Sequence, residues 1–159
     1  MGCQTFLPCK SQEMARSKFL TNNYMKDFEY YGLFLTEESK AELKTWLINS
    51  NYQPEILKSE KEYLDHCTLL HVSQSDYIKE AVFEDRLGER YSIIIDGIGA
   101  SDKSLAFRVA GGSMCTVCAN KIPHITICTF NGGKPVDSNN ITEWKDIEPI
   151  IIETKLEKR

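Results

Sequence analysis

The sequence predicts an α+β domain, and three observations carry that prediction. Apolar runs of strand length recur about seven times, three or four further stretches carry helical spacing or helix-start signals, and 159 residues at 42% hydrophobic content suffice for one ordinary core. Strand and helix alternate at first, a pattern that a doubly wound parallel sheet would also give. The strands read as antiparallel or mixed, with a turn signal at Ala100-Ser101-Asp102 among the later ones, which favours α+β.

Residues 1–27 are mixed polar and basic without sustained periodicity and predict a mobile leader or one short helix packed outside; the domain proper spans 28–159. Tyr30-Tyr31-Gly32-Leu33-Phe34-Leu35 is apolar enough for a buried strand. Thr36 then stands where a helix N-cap belongs, and Glu37 and Glu38 suit the first-turn dipole. That helix sets Leu43, Trp46 and Leu47 on one face and ends near Asn49 to Asn51, before a polar loop. Asp65 to Val72 predicts a strand, and from Ser75 a helix with Ile78, Val82 and Leu87 inward runs to a stop at Gly88.

Tyr91 to Ile98 predicts a central strand, Leu105 to Ala110 another, and Gly111-Gly112 a turn closing a hairpin or meander. Met114 to Ala119 suits a strand. After Pro123, His124 to Thr129 alternates in the manner of a strand, with a loop at Asn131-Gly132-Gly133. A short helix from Ser138 to Trp144 and a strand from Pro149 to Leu156 complete the count.

The formal net charge of -4 argues against a protein that grips long nucleic acid with a broad basic face, because such binding neutralises many phosphates. A small ligand or one nucleic-acid end remains compatible. No apolar run reaches the length of a bilayer-spanning helix, the opening residues lack a secretory apolar stretch, and Phe6 occupies the position where a myristoylation start wants Ser or Thr. A cytoplasmic monomer that does not engage membrane is expected. Six cysteines then read as reduced thiols, and the Cys115/Cys118 C-x-x-C lacks a second pair at zinc spacing, so no metal is expected there.

The candidate chemistry lies in two H-x-T segments, His66-Cys67-Thr68 and His124-Ile125-Thr126. In a strand, residues i and i+2 share a face, so each segment sets an imidazole beside a hydroxyl. Two such strands side by side would converge four groups suited to a phosphodiester: one histidine takes a proton from the nucleophile, the other gives one to the leaving oxygen, and the hydroxyls hold the non-bridging oxygens. Imidazole fits both roles because its unperturbed pKa is about 6.5. The paired pattern arises by chance in about one such composition in twenty. Its context adds weight, since both copies lie in apolar strands behind a turn-type residue, Asp65 or Pro123.

From about Tyr30 onward the chain resembles the 2H phosphoesterases, particularly the cyclic phosphodiesterase domains of plant and fungal tRNA ligases and of the myelin cyclic nucleotide phosphodiesterase. His66-Cys67-Thr68-Leu69-Leu70-His71 is similar to the H-x-T-L-x-H of the ligase domains, and Pro123-His124-Ile125-Thr126-Ile127 to the second motif. Tyr30-Tyr31-Gly32 resembles the Y-x-G opening strand of the myelin enzyme, and Lys134-Pro135-Val136-Asp137-Ser138-Asn139 the segment after the second motif.

The resemblance implies a bilobal fold, two antiparallel sheets around a central cleft with helices outside. It also implies hydrolysis of 2',3'-cyclic phosphates of RNA ends or nucleotides without metal or other cofactor, with His66 and His124 as the acid and base; we assign His124 as the base and His66 as the acid. Tyr30 would stack on a nucleobase or serve the core. His71 faces away from His66 in a regular strand, leaving packing and substrate contact both open. Lys134, with Pro135 and Val136, would meet a phosphate or remain a solvated loop. The chain has neither a phosphate-binding Gly-rich loop nor a ligase domain, so separate ligase or kinase partners would supply those steps. Cleavage of 2',5'-oligoadenylates or cyclic dinucleotides, and non-catalytic phosphate binding, use the same four groups.

Overall fold

The computed structural model describes residues 27–74 and 76–159. The leader expected over residues 1–27 lies, but for Asp27, outside the described residues, as does Ser75.

The first strand, β1 (Tyr30–Leu35), runs into α1 (Glu37–Ile48), which Thr36 caps by accepting the Ser39 N–H at 3.1 Å. Leu43 and Leu47 are buried as predicted, and half-buried Trp46 meets the Phe107 ring edge-on at 5.5 Å. The expected polar loop instead holds a short helix, α2 (Gln53–Leu57), started by Pro54, and a two-residue strand, β2 (Lys61–Glu62). Next come β3 (His66–His71) and α3 (Tyr77–Asp85), whose cap is Asp76.

The face predicted for α3 is displaced. Ile78 is 64% exposed and Leu87 lies beyond the helix, while Phe83 is fully buried. The Phe83 ring packs 5.4 Å from that of Tyr31, whose hydroxyl donates to Glu84, and these contacts set the rotation of the helix.

The strands β4 (Arg90–Ala100), β5 (Ser104–Gly111), β6 (His124–Thr129) and β7 (Trp144–Lys158) complete the chain. The strand predicted at Met114 to Ala119 is instead a 3-10 turn, Ser113–Val117: Gly112 at φ 131° swings the chain inward and Met114 is buried. The helix predicted from Ser138 is likewise a 3-10 turn, at Pro135–Asn140, and Trp144 already opens β7. Pro149 does not end that strand. It falls where the register against β4 jumps from Ile95↔Ile150 to Gly97↔Asp146, so its missing N–H removes no ladder bond.

Every strand pair is antiparallel, which disposes of the doubly wound alternative. The order is β2-β6-β3-β1-β7-β4-β5, and β5 returns to β6, so six strands close into a barrel within a single α+β sheet. The structure thus has one sheet where the resemblance implied two. The long β4 pairs with β7 on one side and β5 on the other, and register shifts beside Ile95 give it the necessary curl.

A six-strand ring encloses little more than packed side chains. Leu33, Cys67, Ile93, Ile95, Ile98, Phe107 and Ile125, all fully buried in one cluster with Leu43 of α1 and Phe83 of α3, fill it. The opposite face looks outward, where Ile151 is 65% exposed and Lys155 lies open. Among the described residues, no helix is long and apolar enough to cross a membrane.

Ser39 ties α1 to the barrel. Its buried hydroxyl donates to the Glu153 carbonyl at 2.9 Å and accepts the Glu153 N–H at 3.0 Å, satisfying both backbone groups of one β7 residue. Ser39→Ala leaves the N–H unpaired and the carbonyl with only the longer bond from Thr36 N–H, at 3.4 Å. Its unfolding free energy in urea is expected to fall by about 1–3 kcal/mol.

Candidate active site

The site begins with an irregularity. β2 and β3 lie along the same edge of β6, but between them Leu64 takes φ 45°, a left-handed conformation rare for a branched side chain. The register against β6 steps there by two residues: Leu64 N–H still bonds to the Thr126 carbonyl at 2.9 Å, while Cys67 pairs with Ile125. The Asp65 carbonyl then accepts the Leu35 N–H at 2.9 Å, which holds the turn against β1.

Cys67 and Ile125 are paired and both point into the core, so the residues flanking each point out together. His66, Thr68, His124 and Thr126 thus share one face, as the two H-x-T patterns predict. The antiparallel direction sets His66 beside Thr126 and Thr68 beside His124. The two histidines are diagonal neighbours, a relation that typically separates residues by about 7–8 Å.

The His66 ring is fixed on several sides. Nε2 lies 3.1 Å from Thr68 Oγ1 and Nδ1 lies 3.2 Å from Asp65 Oδ2, whose other oxygen meets Lys40 Nζ at 3.2 Å. The ring stacks against Tyr30 at 4.6 Å and Phe34 at 4.9 Å between centroids. Gly32 makes this possible: a β-carbon there would sit 3.3 Å from His66 Cδ2 and 3.2 Å from the Cys67 carbonyl. Arg159, joined to Glu157 at 2.8 Å, places its guanidinium 4.3 Å from the Phe34 ring centre.

His124 is only 8% exposed, and its Nδ1 stands 2.8 Å from the Ile122 carbonyl. That carbonyl can only accept, so Nδ1 carries the proton and Nε2 the free lone pair. Thr126 Oγ1 lies 2.9 Å from the buried Ser138 hydroxyl and 3.4 Å from the Pro135 carbonyl, so the 3-10 turn Pro135–Asn140 walls this side.

Burial lowers the pKa of both imidazoles, since the interior disfavours charge. For His66 the Asp65 carboxylate opposes this, while Arg159 and His124 add to it; for His124 the Ile122 carbonyl opposes it.

The remaining predicted site residues fall in different places. Tyr30 lies under His66. His71 does not face away from it, because Leu69 has no partner in β1: the register passes from Gly32↔Thr68 to Tyr31↔Leu70, and this bulge turns His71 to pair with Tyr30 on the site face. There its Nδ1 meets Ser73 Oγ at 2.8 Å. Pro135 reaches the site through its carbonyl. Lys134 and Val136 are exposed, and Lys134 N–H donates to Asp137 Oδ2 at 2.7 Å.

The sequence reading missed Phe34, Asp65 and Arg159 as site residues. Phe34 had a signal, because Tyr30, Gly32 and Phe34 alternate on one strand face. Asp65 reads from sequence only as a turn residue. Arg159 depends on pairing between the first and last strands, which no local pattern encodes.

The four cysteines of the described residues are free. Cys118 lies against β3, donating to the Thr68 carbonyl at 3.4 Å, while Cys115 meets the Gly111 carbonyl, and burial raises both thiols, Cys115 to about 11. Among the described residues, no three His, Cys, Asp or Glu side chains converge as a metal-binding group.

No model of a known protein family matches the chain, and neither does any curated protein. The resemblance to the 2H phosphoesterases therefore rests on the motif residues and their placement.

Three measurements check this geometry. In Gly32→Ala the added β-carbon, 3.2–3.3 Å from the Cys67 carbonyl, His66 Cδ2 and Phe34 Cε2, obliges these neighbours to give by a few tenths of an ångström, so the His66 Cδ2 proton should change its chemical shift in NMR spectra. In the parent protein the His66 and His124 titration midpoints should both lie below about 6.5. A lowered folded-state pKa means that the unfolded chain binds these protons first, so the melting temperature should fall as pH drops through and below about 6.5.

Proposed function

We propose that this chain is a metal-independent phosphodiesterase that hydrolyses 2',3'-cyclic phosphates of RNA ends or nucleotides to 2'-phosphates. The observation that carries the reading is the diagonal placement of His66 and His124, each beside a threonine, on one face of adjoining antiparallel strands. Displacement at phosphorus needs a proton taken on the nucleophile's side and one given on the leaving group's side, and a diagonal pair of imidazoles brackets a phosphate in that way.

The hydrogen bond at His124 supports its role as base. With Nδ1–H committed to Ile122, the Nε2 lone pair takes a proton from water as the water oxygen bonds to phosphorus. The P–O3' bond breaks, and His66 Nε2 gives a proton to the departing oxygen. The product carries a 2'-phosphate and a free 3'-hydroxyl. Thr68 and Thr126 flank the non-bridging oxygens, where hydroxyl donors stabilise the charge that gathers in the transition state.

The bilobal form of the 2H phosphoesterases would divide here along the β3–β6 seam, with one motif contributed by each half. The Cys67↔Ile125 pair would join the halves at the base of the cleft, and β4 would join them behind it.

Because burial lowers both imidazoles, the acid is charged mainly below neutrality. The optimum of kcat/KM should lie on the acid side of pH 7, and in kcat the alkaline limb should move up, since a bound phosphodiester anion favours imidazolium. Turnover is measured with EDTA on a panel of 2',3'-cyclic nucleotides, 2',5'-oligoadenylate and cyclic dinucleotides. His66→Ala and His124→Ala are each expected to lose about 10²–10⁴-fold, with His66→Ala losing the alkaline limb and His124→Ala the acidic one. Loss of the same limb in both would refute the assignment of roles. Absence of EDTA-resistant turnover across the panel would refute the reaction.

A further inference from the structure

We propose that Asp65 is the positioning residue for His66, and that Lys40 moderates it. This rests on the reading of His66 as an acid, but its geometry stands apart from any substrate. Asp65 Oδ2 faces His66 Nδ1 at 3.2 Å, Asp65 Oδ1 faces Lys40 Nζ at 3.2 Å, and Lys40 also reaches Glu37 at 3.5 Å. Charge therefore alternates along a chain from α1, through the β2–β3 turn, to the ring.

The chain is held by backbone as well as by side chains. The Asp65 carbonyl accepts Leu35 N–H from the end of β1, one residue before Thr36 caps the helix that carries Lys40. Leu64 holds its left-handed conformation at the residue before Asp65. Such strain persists where the surroundings over-determine it, and here it delivers a carboxylate to the inner nitrogen of the imidazole.

The carboxylate selects among states of the ring. Ionised, it can only accept, so neutral His66 keeps its proton on Nδ1 and offers Nε2 outward; the imidazolium keeps that bond and carries a second proton on Nε2, toward Thr68 and the leaving oxygen. Burial alone would raise the Asp65 carboxyl, but Lys40 and His66 outweigh it and hold the group below the usual range, so it is ionised wherever His66 titrates. Other charged groups also face His66. Arg159 with Glu157 on β7 and His124 on β6 surround it, and Arg159 and His124 both disfavour its protonation, which leaves Asp65 as the group that favours it. Lys40 draws off part of that help.

Asp65 and Lys40 should therefore act in opposite directions on the same ring. In Asp65→Asn the His66 midpoint, followed by NMR, should fall, and its ring-nitrogen chemical shifts should lose the Nδ1–H preference. In Lys40→Met the midpoint should rise. In turnover, Asp65→Asn should move the alkaline limb to lower pH and reduce kcat/KM at pH 7 about tenfold or more, mainly through kcat, while Asp65→Glu recovers part of it.

An unmoved His66 midpoint in Asp65→Asn, or movement in the same direction in both variants, overturns the proposal. Should Asp65→Asn fail to fold, Lys40→Met alone decides by the direction of its shift. The NMR arms need no substrate. Opposite shifts without turnover of any phosphodiester would leave Asp65 in its role and reject the reaction, whereas turnover with an unmoved midpoint would do the reverse.

Discussion

The pairing of Cys67 with Ile125 is the contact on which the arrangement turns. β3 and β6 are far apart in sequence, and a ring of six strands closes only if they meet. One pair of inward-pointing residues is all the register they share. Because those two residues are apolar and fully buried, the polar residues on either side of each are forced outward together. A slip of one residue in either strand would exchange the faces, burying an imidazole and a hydroxyl in the interior and exposing Cys67 or Ile125. The core thus specifies the site.

The same packing sets the electrostatics. A fully exposed imidazole would titrate near its unperturbed value and be steered by nothing in particular. Here two imidazoles sit in a partly dry surface where charge is disfavoured, so each neighbour counts for more than it would in water. The Ile122 carbonyl fixes one ring with a neutral bond, while Asp65 holds the other with a charged one. The two rings have the same sequence neighbourhood, H-x-T, and differ through what the fold brings to their inner nitrogens.

That distinction separates what was legible in the sequence from what was not. The local alternation of His66 with Thr68 and of His124 with Thr126 follows from strand geometry, and the cap at Thr36 follows from side-chain chemistry that needs no tertiary partner. The α+β class was legible for the same reason. The face of α3 was not: Ile78 fits the periodicity as well as Phe83 does, and only the Tyr31 ring decides between them. The strand predicted at Met114 to Ala119 fails because Gly112 turns the chain inward, although the residue types suit a strand. Closure of the sheet was hidden too, since it depends on β5 returning to pair with β6.

His71 shows why local reading fails nearest the site. A period of two places it opposite His66, and it would be there in a regular strand. Leu69 is an unpaired extra residue, and the bulge it makes turns His71 onto the site face beside Tyr30. A second bulge, at Ile127, interrupts the pairing of β5 with β6 just after Thr126, and the step at Leu64 lies just before His66. A narrow barrel must bend its strands sharply, and bulges supply that bend. Each motif therefore lies beside a place where the ladder is broken to let the ring close, and those breaks aim Asp65 and His71 toward a surface that unbroken strands would have turned them from.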